Sequence, residues 1–172
     1  MLTIGDVFGI VALLAGLFLT SWAMTVASAL LFPGPVERSQ AALAGASRKT
    51  LGLGLGLTLV PGFVGFVLLA SPSPAAKLLG WVVVLALLAL ASLGLAGTAR
   101  IVSTRIQELD PSLAPYPAFV RAAGYLIGGA MLPVLGWFAF GPFLLAASVG
   151  AGYKGLFRRP PSPEIANAPE PA

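Results

Sequence analysis

Residues 82–90 read VVVLALLAL, an apolar run without a polar side chain. They lie inside 22 uncharged residues between Lys77 and Arg100. A helix needs about 20 apolar residues to cross a hydrocarbon core of about 30 Å, so this run is long enough to span a membrane. A transmembrane β-barrel would instead show segments of about ten residues in which apolar and polar residues alternate. The run therefore predicts a transmembrane α-helix.

Three other uncharged runs of this kind are bounded by the ten basic and six acidic residues of the 172-residue chain. They begin after Asp6, Lys49 and Arg121 and contain 30, 27 and 32 residues. The sequence predicts an all-α integral membrane protein whose four transmembrane helices lie near residues 7–32, 51–70, 78–98 and 123–150. Short interfacial helices are predicted in the connecting segments: one lies within 33–50, and residues 99–122 begin as an extension of the third helix that Asp110-Pro111 stops.

The chain is predicted to form one transmembrane domain, residues 1–155, followed by a tail, residues 156–172. From residue 160 onward the tail contains five prolines and no apolar stripe. Such a composition cannot bury enough apolar surface to order the chain, so the tail is predicted to be disordered.

The composition excludes several classes of function. Hydrophobic residues make up 58% of the chain and charged residues 9%, against about 25% charged residues in an ordinary soluble domain. The lipid bilayer is therefore the expected partner of most of the surface, and a nucleic-acid-binding globule is excluded. Histidine and cysteine are absent, which removes Ser-His and Cys-His nucleophile pairs, thiolate metal sites and imidazole ligation of haem. We therefore predict no enzymatic activity, no metal site and no cofactor.

The distribution of lysine and arginine predicts an orientation in the membrane. Four spans place both termini and the 71–77 turn on one side, together with four basic residues: Lys77, Lys154, Arg158 and Arg159. The opposite side holds six: Arg38, Arg48, Lys49, Arg100, Arg105 and Arg121. Because the side richer in basic residues is usually cytoplasmic, both termini are predicted to be periplasmic, in a bacterial inner membrane.

Glycine pairs with three residues between them indicate how the helices pack. Such small-x-x-x-small faces let two helix backbones approach closely in lipid. Three pairs lie within or next to the predicted spans: Gly5 with Gly9, Gly52 with Gly56, and Gly124 with Gly128. Two interpretations remain open. The pairs form a surface for another membrane subunit or a second copy, or they pack the helices of this chain against each other.

Three prolines lie inside the predicted spans: Pro61, Pro133 and Pro142. Each removes a backbone donor and is predicted to kink its helix. Broken helices mark substrate sites in transporters, but such sites usually also carry ionisable side chains, and the interiors of these spans have none. Ser21, Thr25 and Ser28 share one stripe of the first span, where their hydroxyls can bond their own helix backbone or line a polar interface.

Two stretches carry a resemblance to a known family. The first is LFPGPVER at residues 31–38, which is followed by Arg48-Lys49-Thr50, the Gly/Leu run 51–57 and Pro61. The second is LPVLGW at residues 132–137, which is followed by an apolar Gly/Ala run, by Gly-Ala-Gly at 150–152 and by Arg-Arg-Pro-Pro at 158–161. Together they resemble the membrane-embedded half of bacterial bactofilin-like, polymer-forming envelope proteins. In those proteins a periplasmic β-helical region commonly precedes the helices, and these 172 residues contain no such region. The resemblance implies a periplasmic N-terminus and a scaffold or envelope-associated role, and it carries over no catalytic residue.

We therefore expect a non-catalytic structural or accessory protein that packs against partner membrane subunits in the bacterial cell envelope. One alternative is a small oligomeric transporter or channel component, which the prolines inside the spans favour. Another alternative is an accessory subunit of a respiratory or photosynthetic membrane complex.

Overall fold

The computed structural model describes residues 4–45 and 47–157. Within these ranges the helices are α1 (Ile4–Leu31), α2 (Pro33–Gly45), α3 (Ser47–Ala70), α4 (Pro74–Leu109), α5 (Pro115–Ala130) and α6 (Gly141–Phe157), with a π-helical turn at Gly136–Phe140. No strand occurs in the described ranges, which confirms the all-α prediction for them. Most of the predicted disordered tail, residues 158–172, lies outside the described residues.

Three of the predicted spans are confirmed as helices long and apolar enough to cross a membrane, namely α1, α3 from Arg48 onward, and α4. The turn between α3 and α4 contains Pro72, and α4 begins at Pro74, where a proline is tolerated in the first helical turn. The 36 residues of α4 measure about 54 Å, so α4 extends well beyond a hydrocarbon core of about 30 Å. Its last turns, up to Leu109, pack beside α2, which lies in the predicted interfacial segment.

The predicted fourth span, residues 123–150, is wrong as a single helix. α5 ends before an irregular turn at 131–134, after which the π-helical turn runs without a break into α6. Pro133 explains the break, because it has no N–H to donate to the Gly129 carbonyl and its ring would clash with that oxygen. The Leu132 N–H bonds to the Gly129 carbonyl instead, at 3.3 Å, which tightens the end of α5.

α5 and α6 form a hairpin whose limbs both reach one end of the bundle. We call it the α2 end, because α1 ends there, α2 lies there and α3 begins there. α5 starts at this end, where Tyr116 lines the same pocket as Gln40 of α2. α6 finishes at this end, where the Lys154 Nζ donates a hydrogen bond to the Thr50 Oγ1 at 2.8 Å. The described chain therefore begins, at Ile4, at the opposite end of the bundle from its last helix.

The first limb of the hairpin is shorter than a membrane is thick. α5 has 16 residues, about 24 Å, whereas the π-helical turn and α6 form one continuous helix over residues 136–157, which is about 33 Å long. Near the tip, Gly128 lies beside Phe18 of α1. Phe18 precedes Leu31 by 13 residues, so the tip lies about 20 Å from the α2 end. A fourth full crossing would have placed Phe157 at the same end of the bundle as Ile4, whereas the contact of Lys154 with Thr50 places it at the α2 end.

The interior of the bundle is built on close approach of helix backbones. α4 packs against each of the other five α-helices, and α6 packs against α2, α3 and α4. A Cβ atom on Gly54 would meet the Ala146 carbonyl oxygen and lie 2.7 Å from the Gly150 nitrogen. A Cβ on Gly94 would likewise meet the Ser148 backbone. In lipid, where burial of apolar surface gives little drive, such van der Waals packing holds helices together.

Candidate functional site

The pair Gly52 and Gly56 faces away from the rest of the chain. Both residues are exposed, and a Cβ atom at either position would have nothing within 4 Å. Gly54, between them in sequence, is the glycine of this run that α6 packs against. The internal-packing interpretation therefore does not apply to Gly52 and Gly56, and partner binding by this pair remains a prediction.

The other two predicted pairs differ from each other. Gly5 and Gly9 are exposed on the first turns of α1, and a Cβ on Gly9 would also have nothing within 4 Å. No residue of α1 before Thr25 is buried. Gly124 and Gly128 instead face α1, where their Cβ positions would lie 3.9 Å from Trp22 Nε1 and 3.8 Å from Phe18 Cε2.

Trp22 is a contact residue that the sequence analysis missed. Its indole Nε1–H donates to the Val120 carbonyl at 3.1 Å and so ties α1 to α5. A tryptophan in an apolar run gives no sequence signal of its partner, because the acceptor is a backbone carbonyl 98 residues away. The hydroxyl stripe beside it is structural: Thr25 and Ser28 are buried, and the Thr25 Oγ1–H donates to the Ser21 carbonyl at 2.8 Å.

The three predicted kink prolines have different surroundings. α3 continues through Pro61 without interruption. Pro133 lies in the irregular turn that ends α5, and Pro142 lies directly after the π-helical turn, where the helix passes from π to α without a break. Beside the tip, an open groove of about 590 Å³ is lined only by apolar residues and glycine: Gly129, Leu132, Leu135, Ala139, Phe140 and Phe143.

Lys154 is an ionisable residue held between helices. Its ammonium donates to the Thr50 Oγ1, and the Thr50 hydroxyl donates in turn to the Ala42 carbonyl at 2.9 Å. Thr50 is fully buried, and Ala42 lies in the last turn of α2, whose carbonyls carry partial negative charge. An ionisable group near a membrane is a functional-site candidate by default, but these contacts give Lys154 a role in joining α2, α3 and α6.

The Thr50→Val variant tests this role. Valine keeps the shape of threonine and removes the hydroxyl that links Lys154 to Ala42, so we expect a loss of about 1–3 kcal/mol in the free energy of unfolding. Denaturant titration of the detergent-solubilised protein measures it. The control is Thr58→Val, because the Thr58 hydroxyl donates only to the Gly54 carbonyl of its own helix, at 2.8 Å. Equal losses in the two variants would contradict the proposed link.

A pocket of about 350 Å³ opens at the α2 end, between α1, α2, α4 and α5. We call it the interfacial pocket. Its polar wall consists of Gln40 from α2 and four residues from one face of α4: Arg100, Ser103, Thr104 and Gln107. Its other wall is formed mainly by α1 and α5, through Ala29, Leu30, Pro115, Tyr116 and Phe119. In the sequence, Arg100 served only as one of the basic residues that predict orientation. The spacing of Arg100, Ser103, Thr104 and Gln107 puts them on one helix face, and this spacing is the signal that could have located the polar wall.

One ion pair borders this pocket. The Arg100 Nη1 donates to the Glu37 Oε1 at 3.1 Å, which joins α4 to α2. The Arg100 side chain is 28% exposed and the Glu37 side chain 65% exposed. Within the described ranges, no group of three or more Asp and Glu residues is arranged to hold a metal ion.

Comparisons with known proteins found no match to this chain among protein-family models, curated proteins or solved structures. The resemblance to bactofilin-like envelope proteins therefore remains a prediction.

Proposed function

We propose that this protein is a non-catalytic structural or accessory subunit that packs against partner membrane subunits in the bacterial inner membrane. The observation that carries the proposal is the exposed pair Gly52 and Gly56 on α3, where a Cβ atom would have nothing within 4 Å among residues 4–45 and 47–157. A Gly-x-x-x-Gly face lets a second helix approach closely, and glycine in a helix otherwise weakens it. Contact with lipid alone does not require two exposed glycines at this spacing, whereas contact with a second helix does.

The start of α1 supports the same proposal. Its apolar 18-residue window has no buried residue, and Gly5 and Gly9 lie on its exposed first turns. Two small-residue faces on two different helices suit contact with more than one neighbour. The implied scaffold role of bactofilin-like envelope proteins agrees with this, and so does an accessory place in a larger respiratory or photosynthetic complex.

We also propose that the α2 end faces the cytoplasm. Seven of the eight basic residues in the described ranges belong to this end: Arg38, Arg48, Lys49, Arg100, Arg105, Arg121 and Lys154. The eighth, Lys77, lies at the start of α4, at the opposite end. The positive-inside rule then supports a cytoplasmic α2 end and a periplasmic start of α1. The end of α6 becomes cytoplasmic, in contrast to the sequence-based expectation of two periplasmic termini.

Replacement of Gly52 and Gly56 tests the partner proposal. We expect the tagged protein, extracted from native membranes in mild detergent, to co-purify with a stoichiometric membrane protein or a second copy. The double variant Gly52→Leu with Gly56→Leu should lose this partner and keep its own thermal unfolding midpoint, because both positions are exposed and a Cβ atom at either has nothing within 4 Å in the described ranges. Size-exclusion chromatography with mass spectrometry measures both the partner and the stoichiometry.

The matched control is Gly34→Leu, a glycine of α2 that also has nothing within 4 Å in the described ranges and lies on neither of the two small-residue faces. It should keep the partner. Recovery of the wild-type protein only as an isolated monomer, or equal loss of the partner in Gly34→Leu, would contradict the proposal.

A second candidate function, a small transporter or channel component, rests on the broken helix at Pro133. A discontinuous helix at membrane depth is typical of transporter binding sites. The groove beside this break is lined by apolar residues and glycine, which weakens the candidate because such sites usually carry polar or ionisable groups. Solute flux in proteoliposomes would favour it.

A further inference from the structure

The interfacial pocket combines a polar wall with an apolar wall. Positions 100, 103, 104 and 107 are spaced by three, one and three residues, so they fall on one face of α4. Opposite them stand Leu30 and Phe119. Leu30 is 63% exposed, so the apolar wall continues onto the outer surface of α1, where the acyl chains of a bilayer would lie. A ligand that fits both walls is amphipathic.

The polar wall carries one positive charge and offers hydrogen-bond donors from Arg100 and from the two glutamine amides, beside acceptor oxygens of the glutamines and hydroxyls. Arg100 has five N–H donors in its guanidinium group, and its ion pair with Glu37 uses one of them. The side-chain amides of Gln40 and Gln107 make no hydrogen bond within the described ranges and are half-buried at the pocket. The hydroxyls of Ser103 and Thr104 donate to the Arg100 carbonyl, so they are already partnered.

The ligand's charge and depth follow from the position of the pocket. It opens at the end of the bundle that holds seven of the eight described basic residues. Arg100 lies on the part of α4 that reaches past the apolar run, at the level of the lipid headgroups. Basic pockets between transmembrane helices at this level bind anionic headgroups. A volume of about 350 Å³ is also in the range of small-molecule pockets.

We propose that the interfacial pocket binds the phosphate headgroup of an anionic membrane phospholipid. The Arg100 guanidinium holds the phosphate by charge-assisted hydrogen bonds, and the Gln40 and Gln107 amides donate to its remaining oxygens. Leu30 and Phe119 line the path of the glycerol and acyl chains. This proposal needs only the membrane location of the chain and does not depend on a protein partner.

The first test measures binding of phosphatidylglycerol to the purified protein by native mass spectrometry in detergent, with phosphatidylethanolamine as the neutral headgroup. We expect selective retention of phosphatidylglycerol. Arg100→Gln should weaken it about tenfold or more, because a hydrogen bond to a charged group is lost. Arg105→Gln is the matched control: Arg105 lies one turn further on and pairs with Glu108 at 2.8 Å, outside the pocket. It should keep the wild-type affinity.

Glu37→Gln separates ligand binding from a merely structural ion pair. This variant breaks the pair with Arg100 but keeps the guanidinium, so it should bind phosphatidylglycerol as tightly as the wild type or more tightly. Gln107→Leu leaves the ion pair intact and should weaken binding several-fold. Equal losses in Arg100→Gln and Glu37→Gln would overturn the proposal, as would an equal loss in Arg105→Gln or equal retention of both lipids.

A second arm distinguishes a lipid headgroup from a free phosphate. The same protein is titrated with inorganic phosphate and with glycerol 3-phosphate, and the thermal unfolding midpoint is followed. We expect no shift at concentrations where phosphatidylglycerol raises the midpoint, because the soluble anions lack the chains that contact Leu30 and Phe119. A shift of equal size with the soluble anions would overturn the lipid assignment.

Discussion

Cysteines introduced at residues 112 and 157 should react with a membrane-impermeant maleimide from the same side of the membrane, and a cysteine at residue 73 should react only from the other side. The three variants are Ser112→Cys, Phe157→Cys and Ser73→Cys. The chain has no cysteine of its own, so each variant gives a single label. All three positions are exposed. The difference between the two sides should be close to all or none.

The physical reason is the return of the α5–α6 hairpin to the α2 end. Ser112 lies between α4 and α5, and Phe157 ends α6. α5 is too short to cross the hydrocarbon core, and Lys154 near the end of α6 bonds to Thr50 at the start of α3, which places the end of α6 at the α2 end. An uninterrupted fourth span would carry residue 157 across the membrane.

Labelling in intact cells and in inside-out vesicles measures this arrangement. With the α2 end in the cytoplasm, Ser73→Cys should label in spheroplasts and the other two variants only in inverted vesicles. Labelling of Phe157→Cys together with Ser73→Cys would refute the hairpin and restore four crossings. Labelling of all three positions with the sides exchanged would keep the hairpin and reverse the proposed orientation. A fully permeabilised sample controls for the reactivity of each cysteine.

Replacement of Gly54 by leucine should destabilise the protein by about 3 kcal/mol or more, whereas the same replacement at Gly56 should not. A Cβ at Gly54 would meet the Ala146 carbonyl oxygen and the Gly150 nitrogen. Both obstacles are backbone atoms of α6, so no rotamer change can relieve the contact and the two helices must separate. A Cβ at Gly56 has nothing within 4 Å.

The two variants are matched, since they make the same change two residues apart on one helix. Thermal unfolding in detergent and the yield of folded protein after extraction measure the difference. We expect Gly54→Leu to unfold at a lower temperature or to be recovered poorly, and Gly56→Leu to unfold at the wild-type midpoint. Equal destabilisation would mean that the face of Gly56 also packs inside the folded chain, which would remove the main support for a partner surface.

Much of the fold could be predicted because it depends on local properties. The uncharged runs located α1, α3 and α4, and the turn between α3 and α4 lies within the predicted 71–77 turn. The end of α4 at Leu109 followed from Asp110-Pro111. The break at Pro133 was harder, because α3 runs through Pro61 unbroken. Proline thus ends a helix at position 133 and does not end one at position 61. The neighbouring helices decide whether the loss of one backbone hydrogen bond is tolerated.

The candidate sites could likewise be predicted from the sequence only in part. The glycine run of α3 was evident in the sequence, but the spacing of Gly52, Gly54 and Gly56 did not indicate which of them faces α6. The interfacial pocket was missed because its walls come from α1, α2, α4 and α5, which are distant in sequence. Lys154 was assigned to the side opposite Arg48 and Lys49, and the structure places it beside Thr50.

The sequence by itself determined that this chain is helical and which segments are long and apolar enough to cross a membrane. These properties depend on the transfer of side chains into lipid and on helix length, which each segment carries alone. Only the tertiary structure decided that residues 115–157 turn back, which glycines lie inside and where the polar pocket forms. Those properties depend on backbone contacts between helices, and in lipid such contacts are set by fit between neighbours rather than by the hydrophobicity of either one.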